Sequence, residues 1–140
     1  MSSAPRLKTT HSLQTGDGWR LLLYRDRPRA VTNEVPILLV HGLASTADCW
    51  YGGCAGGIGA ALADSGREVW SLEMRGGPNS HHPTDPTGVR MSDKLRYDVP
   101  AAIRYIRELT GARLLDAVGH SMGGVLLTLH CLSTPAPLLR

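Results

Sequence analysis

Five residues carry the sharpest chemical signal in the chain: Gly119-His120-Ser121-Met122-Gly123. They match G-x-S-x-G, with an apolar segment before and another after. That is the pattern of a serine held on a tight strand-to-helix turn. Such a turn brings backbones so close that the positions two before and two after the serine must be small. Gly119 and Gly123 meet this demand, and His120 and Met122 complete the turn. A serine placed there is a nucleophile for acyl transfer. It stands at a helix N-terminus, where free N–H groups favour a developing negative charge. The Met122 N–H is the first candidate oxyanion donor. His41-Gly42-Leu43 closes an earlier apolar segment, and the Leu43 N–H is the second candidate. Two plainer readings compete: a serine N-cap after a glycine-rich turn, and an ordinary strand-ending turn at His41-Gly42.

The flanking elements decide whether these residues can meet. Leu7–Leu13 and Trp19–Tyr24 are strand-like around the turn signal Thr15-Gly16-Asp17-Gly18, and predict a hairpin. Arg25–Glu34 is polar, contains Pro28, and is expected to be a connection. Val35–Val40 is a short, β-branched apolar run, expected to be a buried strand. Ala47–Ala63 is predicted to cross back as a helix, although Gly52, Gly53, Gly56, Gly57 and Gly59 each weaken it by about 1 kcal/mol relative to Ala. Gly66 suits its C-terminal end. Arg67–Met74 is the next strand, and Arg75–Gly88 a loop. Leu95, Val99, Ala102, Ile103, Ile106 and Leu109 form one stripe of a helix over 95–109, with Pro100 in its first turn or kinking it and Gly111 stopping it. Leu114–Val118 is a strand and Ser121–Cys131 a helix. After the hairpin, strands and helices alternate, which implies an α/β domain with a mostly parallel sheet and right-handed crossovers.

Composition narrows the functional classes. The 140 residues suit one domain with a real core, with a polar tail at 1–6 and a proline-containing tail at 133–140. There is no Phe, so the core must come from Leu, Val, Ala and three Trp. The net charge of +3 comes from scattered residues, 13 of the 15 cations being Arg, and no basic stripe points to nucleic acid. Cys49, Cys54 and Cys131 are odd in number and fit no zinc spacing. No metal or cofactor is expected. No apolar run reaches the roughly 20 residues of a membrane helix, and the first 14 residues lack a signal-like apolar segment. The expected location is the cytoplasm.

With these motifs in place, the sequence resembles the α/β-hydrolase superfamily. The resemblance spans about Leu7 to Leu132 and rests on four segments: Pro36–Leu43, Glu73–Ser80, Asp98–Ile103 and Gly119–Gly124. Asp98-Val99-Pro100, continuing to Thr110-Gly111, looks like the acid-lipase and related bacterial lipase branch. The resemblance implies Ser121 as nucleophile, Leu43 and Met122 as oxyanion donors, and a small-molecule ester or lipid as substrate. An acyltransferase or peptidase could use the same turn. One segment departs from the family: Arg75-Gly76-Gly77-Pro78-Asn79-Ser80 has Pro78 where a second glycine is common.

The family's Asp or Glu and its His follow the serine along the chain. The 19 residues after Ser121 hold no Asp or Glu and one histidine, His130. Nine helical residues carry His130 roughly 13 Å along the axis and onto the opposite face. His81 and His82, with Asp85 and Asp93 nearby, offer a surrogate base against the plainer reading of a solvated loop. Asp116 lies too far down its strand. The expectation is therefore a partial hydrolase domain, cut before the last strands. The alternative is a non-catalytic fragment or a binding relative. Either way, Leu114–Val118 would lack a neighbour on one side, an apolar edge open to self-association.

Overall fold

The computed structural model describes residues 6–52 and 56–140. Five strands form one mixed sheet in the order β1-β2-β4-β3-β5. They are β1 (Arg6–Gln14), β2 (Arg20–Pro28), β3 (Asn33–Val40), β4 (Arg67–Glu73) and β5 (Asp116–Gly119). The hairpin β1/β2 joins β4 antiparallel, whereas β4, β3 and β5 run parallel. Among the described residues, four α-helices accompany the sheet: α1 (Gly57–Asp64), α2 (Met91–Asp93), α3 (Val99–Thr110) and α4 (Met122–Ser133).

The run Ile37-Leu38-Leu39-Val40 explains why β3 sits inside. Side chains alternate across a strand, so a continuous apolar run needs cover on both faces. Leu38 and Val40 enter the larger core, with Leu21, Leu23, Trp70 and Leu72 from the sheet and Ile103, Ile106 and Leu126 from α3 and α4. Ile37 and Leu39 enter a smaller core with Trp50, Ala63 and Val69. In place of Phe, the larger core is centred on Trp70. Its indole is fully buried, donates from Nε1 to Glu68 at 2.9 Å, and meets the Tyr105 ring edge-on.

Several elements depart from the sequence expectations. The crossover expected as a helix over 47–63 is broken into a 3₁₀ turn, Ala47–Trp50, and the short α1. Gly56 and Gly57 both take positive φ, and a Cβ on Gly57 would run into the Trp50 carbonyl. The glycines thus serve a close backbone approach rather than a helix. Gly53 and Cys54 of that segment lie outside the described residues, whereas Cys49 and Cys131 are free and exposed. The connection expected from Arg25 is shorter, because β2 continues to Pro28. Pairing with β1 extends it, and Glu68 accepts from Arg25 Nε at 2.9 Å and Arg27 Nε at 3.3 Å.

The expected helix 95–109 is preceded by α2 and a π-helical stretch, Lys94–Asp98, before α3 begins. Pro100 lies in the first turn of α3 and has no N–H to give the preceding turn, so the chain widens there. Gly111, with φ of 73°, ends α3 as expected. Strand β5 begins at Asp116 rather than 114 and forms the sheet edge, yet its outer side is not bare throughout. The C-terminal tail lies beside it: the Leu115 N–H donates to the Leu138 carbonyl at 3.0 Å, and the Arg140 N–H to the Leu115 carbonyl at 2.9 Å. Among the described residues, no helix is long and apolar enough to cross a membrane.

Leu38 is fully buried at the centre of the larger core. Leu38→Ala should therefore cost about 3 kcal/mol, read as a lower urea midpoint with an unchanged slope.

Candidate active site

The parallel strands deliver three loops to one sheet edge. The C-terminal ends of β3, β4 and β5 release His41-Gly42-Leu43, Met74-Arg75 and His120-Ser121 side by side. The ladder continues into the turn, where the His120 N–H donates to the Val40 carbonyl at 3.0 Å.

Ser121 has φ of 52° and ψ of −120°, a conformation that costs a non-glycine residue about 1–3 kcal/mol. Packing holds it there. A Cβ on Gly119 would collide with the Gly123–Gly124 backbone, and one on Gly123 would collide with the Val40 carbonyl. The helix that follows starts at Met122, so Ser121 caps it rather than beginning it. The serine is exposed, at the N-terminal end of α4.

The loop after β3 lies directly against this turn. A Cβ on Gly42 would come within 3.2 Å of both Ser121 Cβ and His120 Nδ1. Among the described residues, neither the Leu43 nor the Met122 N–H is taken by a backbone acceptor. His41 is buried and fixes the loop. Its Nδ1 lies 2.8 Å from the Gly42 carbonyl, and its Nε2 accepts the Met74 N–H at 3.2 Å. These partners place the ring proton on Nδ1. The exposed His120 borders the serine, so every residue of both motifs meets at this edge.

Ser121 opens into a cleft of about 530 Å³. Leu43, Val89, Met91, Met122 and Val125 make its apolar wall, and Lys94 is its one charged lining residue among the described residues. Leu43 is 74% exposed, and Val89, Met91 and Val125 are also exposed. Among the described residues, none that line the cleft is a histidine or a carboxylate.

The other candidate bases do not reach the cleft. His81 exchanges backbone hydrogen bonds with Arg20, and His82 packs on Trp19 while its Nδ1 accepts the Asp85 N–H at 2.7 Å. The loop is thus tied to the hairpin rather than solvated throughout. His130 is buried in α4, and burial pushes its pKa down. Asp116 pairs with Arg67 and Arg140 at the far end of β5.

Sequence reasoning missed the group that braces this edge. Arg75 is wholly buried at the end of β4. Its Nε donates to Asp98 Oδ1 at 2.8 Å and its backbone N–H to Asp98 Oδ2 at 3.0 Å. Its Nη1 and Nη2 grip the Asp17 carboxylate at 2.7 and 2.8 Å, and Nη1 also donates to the Gly88 carbonyl. Its plane lies over Trp19 and Tyr97. Burial opposes the Arg75 charge, but the two carboxylates outweigh it and raise its pKa. The hydrogen bond from Arg75 holds Asp17 below the usual carboxylate range. Burial pushes Asp98 up to about 6, against the pull of Arg75. Both Arg75 and Asp98 stood in resembling segments, but 23 residues of separation gave no sign of their contact.

The chain is similar over most of its length to known proteins. Residues 35–138 match the family described as alpha/beta hydrolase fold. Triacylglycerol lipase 1 of Arabidopsis thaliana is 33% identical over 129 residues, covering 84% of this chain and 32% of that protein. The rat lysosomal acid lipase/cholesteryl ester hydrolase is 33% identical, covering 81% and 32%. The chain thus spans about a third of the length of these relatives. A crystal structure of an alpha/beta hydrolase from Novosphingobium aromaticivorans superposes with a TM-score of 0.71 at 24% identity, covering 98% of this chain and 42% of that one.

Two outcomes test the brace. Arg75→Met leaves two carboxylates without their cation and should cost about 3–5 kcal/mol in denaturant melts. Asp98 binds its proton more tightly folded, at about 6, than at its ordinary 3.8, so its contribution to stability is present below pH 4 and lost as pH rises through 6. The stability of the parent chain relative to Asp98→Asn should fall across that window. A flat difference would contradict the assignment.

Proposed function

As a member of the α/β-hydrolase fold family, this chain, we propose, supplies the nucleophile and oxyanion hole of a serine ester hydrolase of the lipase or esterase type. Ser121 Oγ attacks the ester carbonyl carbon, and the serine proton passes to a base. The tetrahedral oxygen then accepts hydrogen bonds from the Leu43 and Met122 N–H groups. Collapse of that intermediate expels the alcohol, which takes up the proton from the base, and leaves an acyl group on Ser121. Water releases the acid in the second half-reaction.

The observation that carries this reading is the strained Ser121 backbone beside two N–H groups with no backbone acceptor. A side chain held at such cost on a cleft edge is the usual signature of a functional group. The exposed apolar wall of Leu43, Val89, Met91 and Val125 suits an acyl chain. The names of the relatives, triacylglycerol lipase and cholesteryl ester hydrolase, fit the same substrate class. In this reading the general base and acid come from outside the residues that line the cleft. The lack of a histidine or carboxylate there also favours a second reading, in which the cleft binds an acyl compound without hydrolysing it.

A fluorophosphonate probe and short p-nitrophenyl esters separate the two. Covalent labelling at Ser121, with ester turnover falling to background in Ser121→Ala, is the expected result. Equal background in both proteins, with no label, would leave only the binding reading.

A further inference from the structure

Lys94 has no part in the chemistry above, yet among the described residues it is the one charged residue that lines the Ser121 cleft. It sits in the π-helical stretch and is 7% exposed. Lysine is almost never buried without a partner, because removing an ammonium from water is costly. The acid whose field favours its charge is Asp98, and both Asp98 oxygens are engaged by Arg75. Among the described residues, no carboxylate lies within ion-pair distance of Lys94. Burial and the nearby Arg75 cation both work against the ammonium. Apart from Ser121, the residues that line the cleft beside it are apolar.

A cation poorly compensated by its own protein, at the wall of an apolar cleft, is a receptor for an anion with an apolar body. We propose that Lys94 makes this cleft a binding site for amphiphilic monocarboxylates, with the carboxylate on the Lys94 ammonium and the chain along Leu43, Val89, Met91 and Val125. The inference deepens the reading of the cleft as an acyl site and rests on it. In that setting the ligand is the free acid that ester cleavage would release. A neutral alcohol of the same length would share the apolar wall but not the charge pair.

The test is calorimetric titration of the full chain with octanoate and with 1-octanol at pH 7. Octanoate is expected to bind at least tenfold more tightly. That preference should vanish in Lys94→Met, through loss of octanoate affinity while octanol still binds, and persist in Lys94→Arg. Equal binding of the two probes, or an undiminished preference in Lys94→Met, overturns the proposal. A second readout needs no core-facing substitution. The chain has two lysines, Lys8 and Lys94. With ¹³C-labelled lysine, and Lys8→Arg to assign the signals, octanoate should displace the Lys94 ε-carbon resonance and octanol should not. An unmoved resonance also overturns the proposal. Neither readout depends on ester turnover or on labelling of Ser121, so loss of the nucleophile reading through failed labelling remains distinguishable from loss of the carboxylate site.

Discussion

The buried guanidinium of Arg75 ties together three segments that are separate along the chain. It reaches the β1/β2 turn through Asp17, the helical segment before α3 through Asp98, and the long loop through the Gly88 carbonyl. A guanidinium removed from water is tolerable only when its donors are satisfied, so each of these partners is held where Arg75 needs it. The geometry is directional as well as charged, since a planar fork fixes the orientation of both carboxylates. Val89 and Met91 follow Gly88 directly, and Lys94 lies one turn before Asp98. One wall of the Ser121 cleft is therefore set by this ion cluster.

The other wall is set by backbone packing. Parallel pairing of β3 with β5 brings Val40 opposite Gly119, which leaves no room between the strand ends and α4 for side chains at positions 119 and 123. The strain at Ser121 is sustained because the sheet, α4 and the Gly42 loop all fix the same few atoms. His41 adds a buried link between the ends of β3 and β4, so the loop carrying Leu43 cannot move independently of the strand carrying Arg75. The oxyanion donors proposed at Leu43 and Met122 depend on that rigidity, because donors that must reorient lose most of their advantage.

The cleft joins these two constructions, one ionic and one made by close packing. Among the described residues its lining is apolar apart from Ser121 and Lys94. That combination fits the chemistry of esters and their acids better than that of sugars or phosphates, which need many polar contacts. The exposed leucine, valine and methionine side chains are consistent with a surface that receives a ligand, since such groups in a cluster rarely face water without a purpose.

The sequence by itself determined the order of elements, the hairpin and the turn at Ser121. It did so because period-two and helical apolar patterns, together with obligate glycines at 119 and 123, are local properties of the chain. It also carried the resemblance of the segment around Asp98 to acid lipases and of the segment around Arg75 to the wider superfamily, from which that segment departs at Pro78. Tertiary structure decided what those segments do. The contact of Arg75 with Asp98 and Asp17 joins residues 23 and 58 positions apart, and only the packed sheet makes it. The same holds for Lys94, which lies one residue before the helix read over 95–109 and lines a cleft formed with loops from elsewhere. The broken crossover near Gly57 was likewise hidden, because its cause is a distant-in-pattern clash with the Trp50 carbonyl rather than a local preference. Local preference sets which elements form, whereas desolvation and steric fit, which need the whole fold, set which residues meet at the site.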